Sequence, residues 1–132
     1  MKMKKIFFAL TSIVLLGCNS KDNLEMGQKT TLEVNKVFNG GKVLLGEEVE
    51  AVFNVKNTGN YPLIISEVKG SCSCTVAEYP EEPIEPGETE QITATVRTDN
   101  AAEGLLTKEV RMIANTEPSL TIMQIKANVT RK

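Results

Sequence analysis

The chain has 132 residues, enough for one sandwich-sized core and too few to suggest more than one ordinary domain. Its formal net charge is −2, from 15 Lys+Arg against 17 Asp+Glu, and no basic run marks a nucleic-acid-binding face. His is absent altogether, which removes the commonest general base, every Ser-His or Cys-His nucleophile pair and the commonest metal ligand.

The first segment reads as a leader. Lys2, Lys4 and Lys5 precede a largely apolar run, Ile6–Leu16, and then Gly17 and Cys18. A basic start, a short apolar stretch and a small residue at the cut describe a secretory signal, too short to span a membrane. Leu15-Leu16-Gly17-Cys18 resembles a bacterial lipobox, although Leu16 is bulkier than the residue that usually precedes the Gly. That resemblance implies a signal peptide at 1–17, cleavage before Cys18, and acyl chains such as palmitate on that cysteine. One chain binds a membrane only marginally and a second makes binding stable, so acylated Cys18 is the expected lipid anchor. Losing residues 1–17 takes three of the basic residues and no acid, leaving 12 against 17, an acidic domain. Residues 18–29 are polar and without periodicity, a tether between lipid and fold. Ser20-Lys21-Asp22 faintly resembles the charged export signals of Bacteroidota surface lipoproteins, which usually hold more acids.

From residue 30 onward, short alternating stretches with turn chemistry between them predict β-strands. Thr31–Phe38 alternates with Leu32 and Val34 apolar, Asn39-Gly40-Gly41 reads as a turn, and Val43–Leu45 is a short apolar piece. Next, Ala51, Phe53 and Val55 share one face, with Val52 apolar on the other. Asn57-Thr58-Gly59-Asn60 is a turn, since Gly tolerates positive φ and Asn bonds nearby backbone. Pro62 opens the strand Leu63–Val68, and Gly70 closes it before Ser71-Cys72-Ser73-Cys74-Thr75, whose last residue starts a brief strand to Glu78. Glu78–Glu90 holds six Glu and three Pro, a stiffened loop rather than a central strand. Gln91–Arg97 alternates with Ile92, Ala94 and Val96 inward; Lys108–Ala114 does so with Val110, Met112 and Ala114. Along Leu120–Thr130 the apolar set changes phase, from Leu120 and Ile122 to Met123, Ile125, Ala127 and Val129, which predicts a β-bulge near Ile122–Gln124. About seven strands and no helical period argue for an all-β chain, an antiparallel β-sandwich over 30–132. Without Trp or a long-range Cys pair, an antibody-type core is excluded.

F-x-V-x-N-x-G at Phe53–Gly59, P-L-I-I at Pro62–Ile65 and S-C-x-C-T at Ser71–Thr75 resemble the bacterial domain-of-unknown-function family 1573. That family is similar to the immunoglobulin-like domains of Hydin-type and major-sperm-protein-type proteins. Pro83-Ile84-Glu85-Pro86-Gly87-Glu88, Gly104 and Asn115 extend the match, which covers roughly Phe38 to Val129. One residue departs: Ser73 stands where the family usually has Gly. The resemblance implies an immunoglobulin-like sandwich and no particular activity.

Cys72 and Cys74 are the one chemical constellation, and three readings compete. In extended chain, i and i+2 share a face, so both thiols can sit partly buried as small hydrophobes at a sandwich edge. They can instead close a disulfide in an oxidising compartment, although Ser73 eases the tight turn less than Gly would. As thiolates they are two ligands for a soft metal such as Cu(I) or Zn, too few without a third. Met112 and Met123 read as core rather than ligands, and Asn57, Gly59 and Asn60 as turn residues. The expectation is a non-enzymatic interaction or structural module without cofactor, catalytic residue or small-molecule substrate. It would be anchored at Cys18 in the envelope of a Gram-negative bacterium of the Bacteroidota, outer membrane favoured, periplasmic or surface-exposed, with a protein partner. The alternative is a thiol-based redox or soft-metal-handling protein using Cys72 and Cys74.

Overall fold

The computed structural model describes residues 27–132, and the leader, Cys18 and the tether up to residue 26 lie outside them. Eight strands follow in chain order: β1 (Leu32–Val34), β2 (Val37–Leu44), β3 (Glu48–Asn57), β4 (Ile65–Gly70), β5 (Thr75–Glu78), β6 (Thr89–Arg97), β7 (Gly104–Ala114) and β8 (Leu120–Thr130). They form two four-stranded sheets, ordered β1-β3-β6-β5 and β2-β8-β7-β4. Every pairing is antiparallel except β2 with β8, which run parallel.

The core lies where the alternation put it. Ala51, Phe53 and Val55 of β3 and Ile92, Ala94 and Val96 of β6 turn inward and are fully buried. From the facing sheet Val110 and Met112 of β7 and Met123 and Ile125 of β8 meet them, also fully buried. Both methionines are therefore core. Phe38 of β2 meets Phe53 edge to face across the two layers, with ring centroids 6.5 Å apart.

Four expectations change. The stretch Thr31–Phe38 is two strands, which is why eight appear where about seven were expected. After β1 the chain leaves the first sheet, and the Asn35 side chain covers the exit by accepting from Asn54 N–H (2.7 Å) and donating to Val52 C=O (3.3 Å). Asn39-Gly40-Gly41 does not reverse the chain; it lies inside β2, where the register with β8 slips between Asn39 and Lys42. Asn39 Oδ1 accepts from Gly41 N–H at 3.1 Å, the local bond of a bulge. The strand expected from Leu63 begins at Ile65. Leu63 instead exchanges both backbone bonds with Ile84, each 2.8 Å, and these two buried side chains pin the Pro-rich loop to the sandwich. Finally, β8 has no bulge near Ile122–Gln124, because its register with β7 is unbroken from Leu120 to Val129. The phase change is a surface feature: Leu120 and Ile122 point outward, 43% and 41% exposed.

Asn57 does more than turn the chain. It is fully buried at the end of β3, where its Oδ1 accepts from Thr30 Oγ1–H (2.8 Å) and Gly59 N–H (3.0 Å). Its Nδ2 donates to Tyr61 C=O (2.7 Å) and Ile84 C=O (2.8 Å). Every hydrogen-bonding position of that amide is used, joining the start of the fold, the turn and the Pro-rich loop. Gly59 is required beside it, since a Cβ there would lie 2.0 Å from Thr30 Oγ1.

Candidate functional site

Two surface features stand out, one at each long edge of the sandwich. The first is built on the turn between β4 and β5. Gly70 ends β4 against β5 so closely that an added Cβ would lie 2.4 Å from Thr75 Cβ. The chain then turns through Cys72, whose C=O accepts from Thr75 N–H at 3.1 Å. Neighbouring strands hold both flanks: Ser71 N–H donates to Glu109 C=O (2.8 Å), and Arg97 N–H donates to Cys74 C=O (2.9 Å). On this platform Cys72 and Cys74 are joined by a disulfide, their α-carbons 5.2 Å apart.

Of the three readings of the pair, the two sulfurs are therefore bonded rather than free thiols, and Ser73 is accommodated in the turn. Both cysteines are half-buried, and Cys74 also packs against the core. The Thr75 hydroxyl lies 3.6 Å from Cys72 Sγ and 3.9 Å from Cys74 Sγ. The bridge opens onto a cleft of about 450 Å³ lined by Arg97, Asp99, Leu106 and Lys108 among others, two cations against one carboxylate. Because the bonded residues are two apart in sequence, the closed loop is tiny. Chain entropy alone then gives the bridge only about 1.6 kcal/mol, against about 3 for a 15-residue loop.

The second feature is a groove of about 1080 Å³ between Thr30–Lys36 on one wall and Thr116–Ile122 on the other. Two strand edges border it. Thr58 N–H bonds Thr31 C=O, so the alternation along β1 turns the backbone groups of Leu32 and Val34 away from β3. On the opposite wall Gln124 N–H bonds Lys36 C=O at 2.7 Å, where β2 joins β8. Leu120 and Ile122 present their backbone groups to that same side, and β2 pairs with β8 only from Gln124 onward. Leu120, Ile122, their neighbour Ile113 on β7 and Val37 beside Gln124 place exposed apolar side chains on one outer face.

The remaining candidates converge on nothing. Glu78, Glu81, Glu82, Glu85, Glu88 and Glu90 are all exposed. Among the described residues no three of His, Cys, Asp and Glu cluster as a metal group. Ionisable groups with displaced affinities are surface pairs: hydrogen bonding and charge from Glu67 raise Lys69, and hydrogen bonding and charge from Lys29 lower Glu117. Sequence reasoning identified the cysteines and missed the groove. The one available signal was the out-of-phase pair Leu120 and Ile122, which it assigned to a bulge.

Comparison with known proteins agrees with the fold. Residues 30–129 match the family described as a protein of unknown function, DUF1573. A protein of unknown function from Porphyromonas gingivalis W83 superposes with TM-score 0.68 at 19% identity, covering 83% of this chain and 51% of its own. The chain thus spans about half of that protein. The human CEP192 ASH/PapD-like domain 7 superposes with TM-score 0.62 at 11% identity, covering 94% and 99%. The Vibrio cholerae VesB protease gives TM-score 0.57 at 14% identity, covering 74% of this chain but 31% of the protease. At these identities the likeness is one of fold. No curated protein matches the chain.

Proposed function

The chain belongs to the DUF1573 family, and from that premise we propose that it is a non-enzymatic interaction module of the cell envelope which captures an extended segment of a partner protein. The observation that carries this reading is the start of β8, which pairs with β7 on one side and is not covered by β2 on the other until Gln124. Leu120 and Ile122 offer free backbone donors and acceptors across the groove from the equally free edge of β1. An exposed strand edge is a template for strand addition, with backbone bonds supplying affinity and alternate side-chain pockets supplying selectivity. β7 also leaves Gly104–Lys108 beyond the reach of β4, and Leu105 is exposed there, but one apolar side chain does not make the flank that Val37, Ile113, Leu120 and Ile122 together give to β8. The groove's rim mixes Lys36 and Lys56 with Glu33 and Glu117, favouring a segment of alternating apolar and polar residues over a charged one.

The anchor is part of the same reading. Cys18 after a lipobox-like sequence would hold the domain on a membrane, outer membrane favoured, with residues 19–29 giving it reach. A disulfide between Cys72 and Cys74 suits an oxidising compartment. Metabolic labelling with palmitate tests this part: label should enter the chain and vanish in Cys18→Ser, which should move to the soluble fraction.

The capture site is tested on the chain from Asn19 onward, which contains all eight strands. Random ten-residue peptides are displayed, and binders are mapped by amide chemical shifts. Selected peptides should alternate apolar and polar residues and perturb Leu120–Ile122 and Leu32–Val34. Leu120→Lys with Ile122→Lys should abolish their binding without lowering Tm. Peptides that perturb neither edge, or bind the double variant equally well, would overturn the reading.

A further inference from the structure

We infer that the Cys72–Cys74 bridge is a thiol–disulfide exchange site, opened by a protein dithiol that docks in the adjoining cleft. The inference stands on the geometry of the β4–β5 turn and does not depend on strand capture at the other edge. A structural staple ties together parts of a chain that would otherwise separate. This bridge ties residues two apart, in a turn already held by Ser71 to Glu109, Arg97 to Cys74 and Thr75 to Cys72. Its opening leaves those bonds in place. The sulfurs are half-buried on the surface rather than sealed in the core, and the cleft beside them has room for another side chain.

The two cysteines are not equivalent. Cys74 packs against the core and Cys72 does not, so an incoming thiolate reaches Cys72 Sγ. A bond forms between the partner's sulfur and Cys72 Sγ as the Cys72–Cys74 bond breaks, and the electron pair leaves on Cys74 Sγ. That thiolate forms beside the Thr75 hydroxyl, which can donate to it, in a cleft carrying Arg97 and Lys108. Cations near a cysteine favour its thiolate, and a better leaving group departs faster. The partner's second thiolate then attacks its own sulfur in the mixed disulfide and releases Cys72 as a thiolate. In sum the dithiol loses two electrons to become a disulfide, and Cys72 and Cys74 gain them and take up the two protons. Run in reverse, Cys74 attacks Cys72 Sγ and expels the partner.

The test uses the chain from Asn19 onward, with dithiothreitol as the dithiol and glutathione disulfide as the trapping probe. Reduction of the folded protein should expose two alkylatable thiols while the amide spectrum stays native. In Cys74→Ser, with no resolving thiol, Cys72 should form a mixed disulfide with glutathione at least about tenfold faster than Cys74 does in Cys72→Ser. On the wild-type bridge, Arg97→Gln with Lys108→Gln should slow opening by dithiothreitol, and Asp99→Asn should speed it. A bridge that opens only in denaturant, or single variants that react alike, would overturn the proposal. The Leu120→Lys, Ile122→Lys protein should exchange at the wild-type rate, so failure of strand capture and failure of exchange are read separately.

Discussion

The two long edges of the sandwich are crossed in the same way and finished differently. At one, β4 passes to β5; at the other, β1 passes to β2; in both, consecutive strands belong to opposite sheets. The β4–β5 crossing is bonded to strands on both sides and carries a covalent bridge. The β1–β2 crossing is two residues long; the Asn35 amide bonds β3 and Lys36 C=O accepts from Gln124 of β8, but no covalent bridge closes it and a strand edge is left free on each wall of the groove. One edge is closed and chemically addressable, while the other is open and suited to backbone pairing. Unprotected edges invite unwanted association, and natural sheets usually blunt them with charge, Pro or bulges. Here β2 carries such a bulge, yet the start of β8 that β2 leaves uncovered is flanked by apolar side chains.

The strongest way to break this contrast is to remove what fixes the open edge. Asn57 bonds Thr30, two residues before the start of β1, together with Gly59, Tyr61 and Ile84. Asn57→Ala would remove all four bonds at once and strip the buried Thr30 hydroxyl of its Asn57 acceptor, and loss of this network should cost about 3–5 kcal/mol. Thermal melts should then show a loss of well over 10 °C in a domain of this size. A loss of only a few degrees would mean that β1 and its edge are held by something else. The matching change at the closed edge is smaller. Gly70→Ala would push a methyl to 2.4 Å from Thr75 Cβ, forcing β4 and β5 apart. Overpacking of this kind should cost about 1–3 kcal/mol. It should also alter the rate at which the bridge is reduced, whereas Asn57→Ala, measured well below its Tm, should not.

How much of this was legible beforehand differs between the edges for physical reasons. The period-2 runs in β3, β6 and β7 placed the core correctly, because inward positions there are apolar and their outer neighbours mostly polar. The cysteines were found because they are chemically distinctive, but their oxidation turned on how tightly Ser71–Thr75 folds, a matter of Gly70 and of bonds from β6 and β7. The open edge was invisible for a related reason. Free backbone groups on Leu120 and Ile122 depend on where β2 starts, at Val37, and β2 was hidden behind an apparent Asn-Gly-Gly turn. A surface-exposed apolar pair looks the same in sequence as a register slip. Parallel pairing of β2 with β8 is likewise set by the sheet switch at Asn35, a tertiary event that no local pattern encodes.

Two smaller effects sharpen the contrast. Reducing the bridge, or replacing both cysteines with Ser, should lower stability by no more than about 1.6 kcal/mol by chain entropy. That is a shift of several degrees in Tm. A much larger loss would make the bridge a staple after all.

The smallest effect lies at the open edge, where Lys29 pairs with Glu117 across the entrance to the groove. Lys29 holds the Glu117 carboxyl below its usual value of 4.5. A depressed carboxylate contributes stability that is fully present above its unfolded value and is lost as pH falls through the folded one. Acidification should therefore weaken this contact first below the ordinary carboxylate range. Both partners are exposed, so solvent and salt screen the pair. Melts of wild type and Glu117→Gln should run nearly together at neutral pH, and any small gap between them should close at low pH and in high salt. A gap that widened in acid would mean that Glu117 is held by more than Lys29, and that the open edge is more firmly closed at this end than its exposed groove implies.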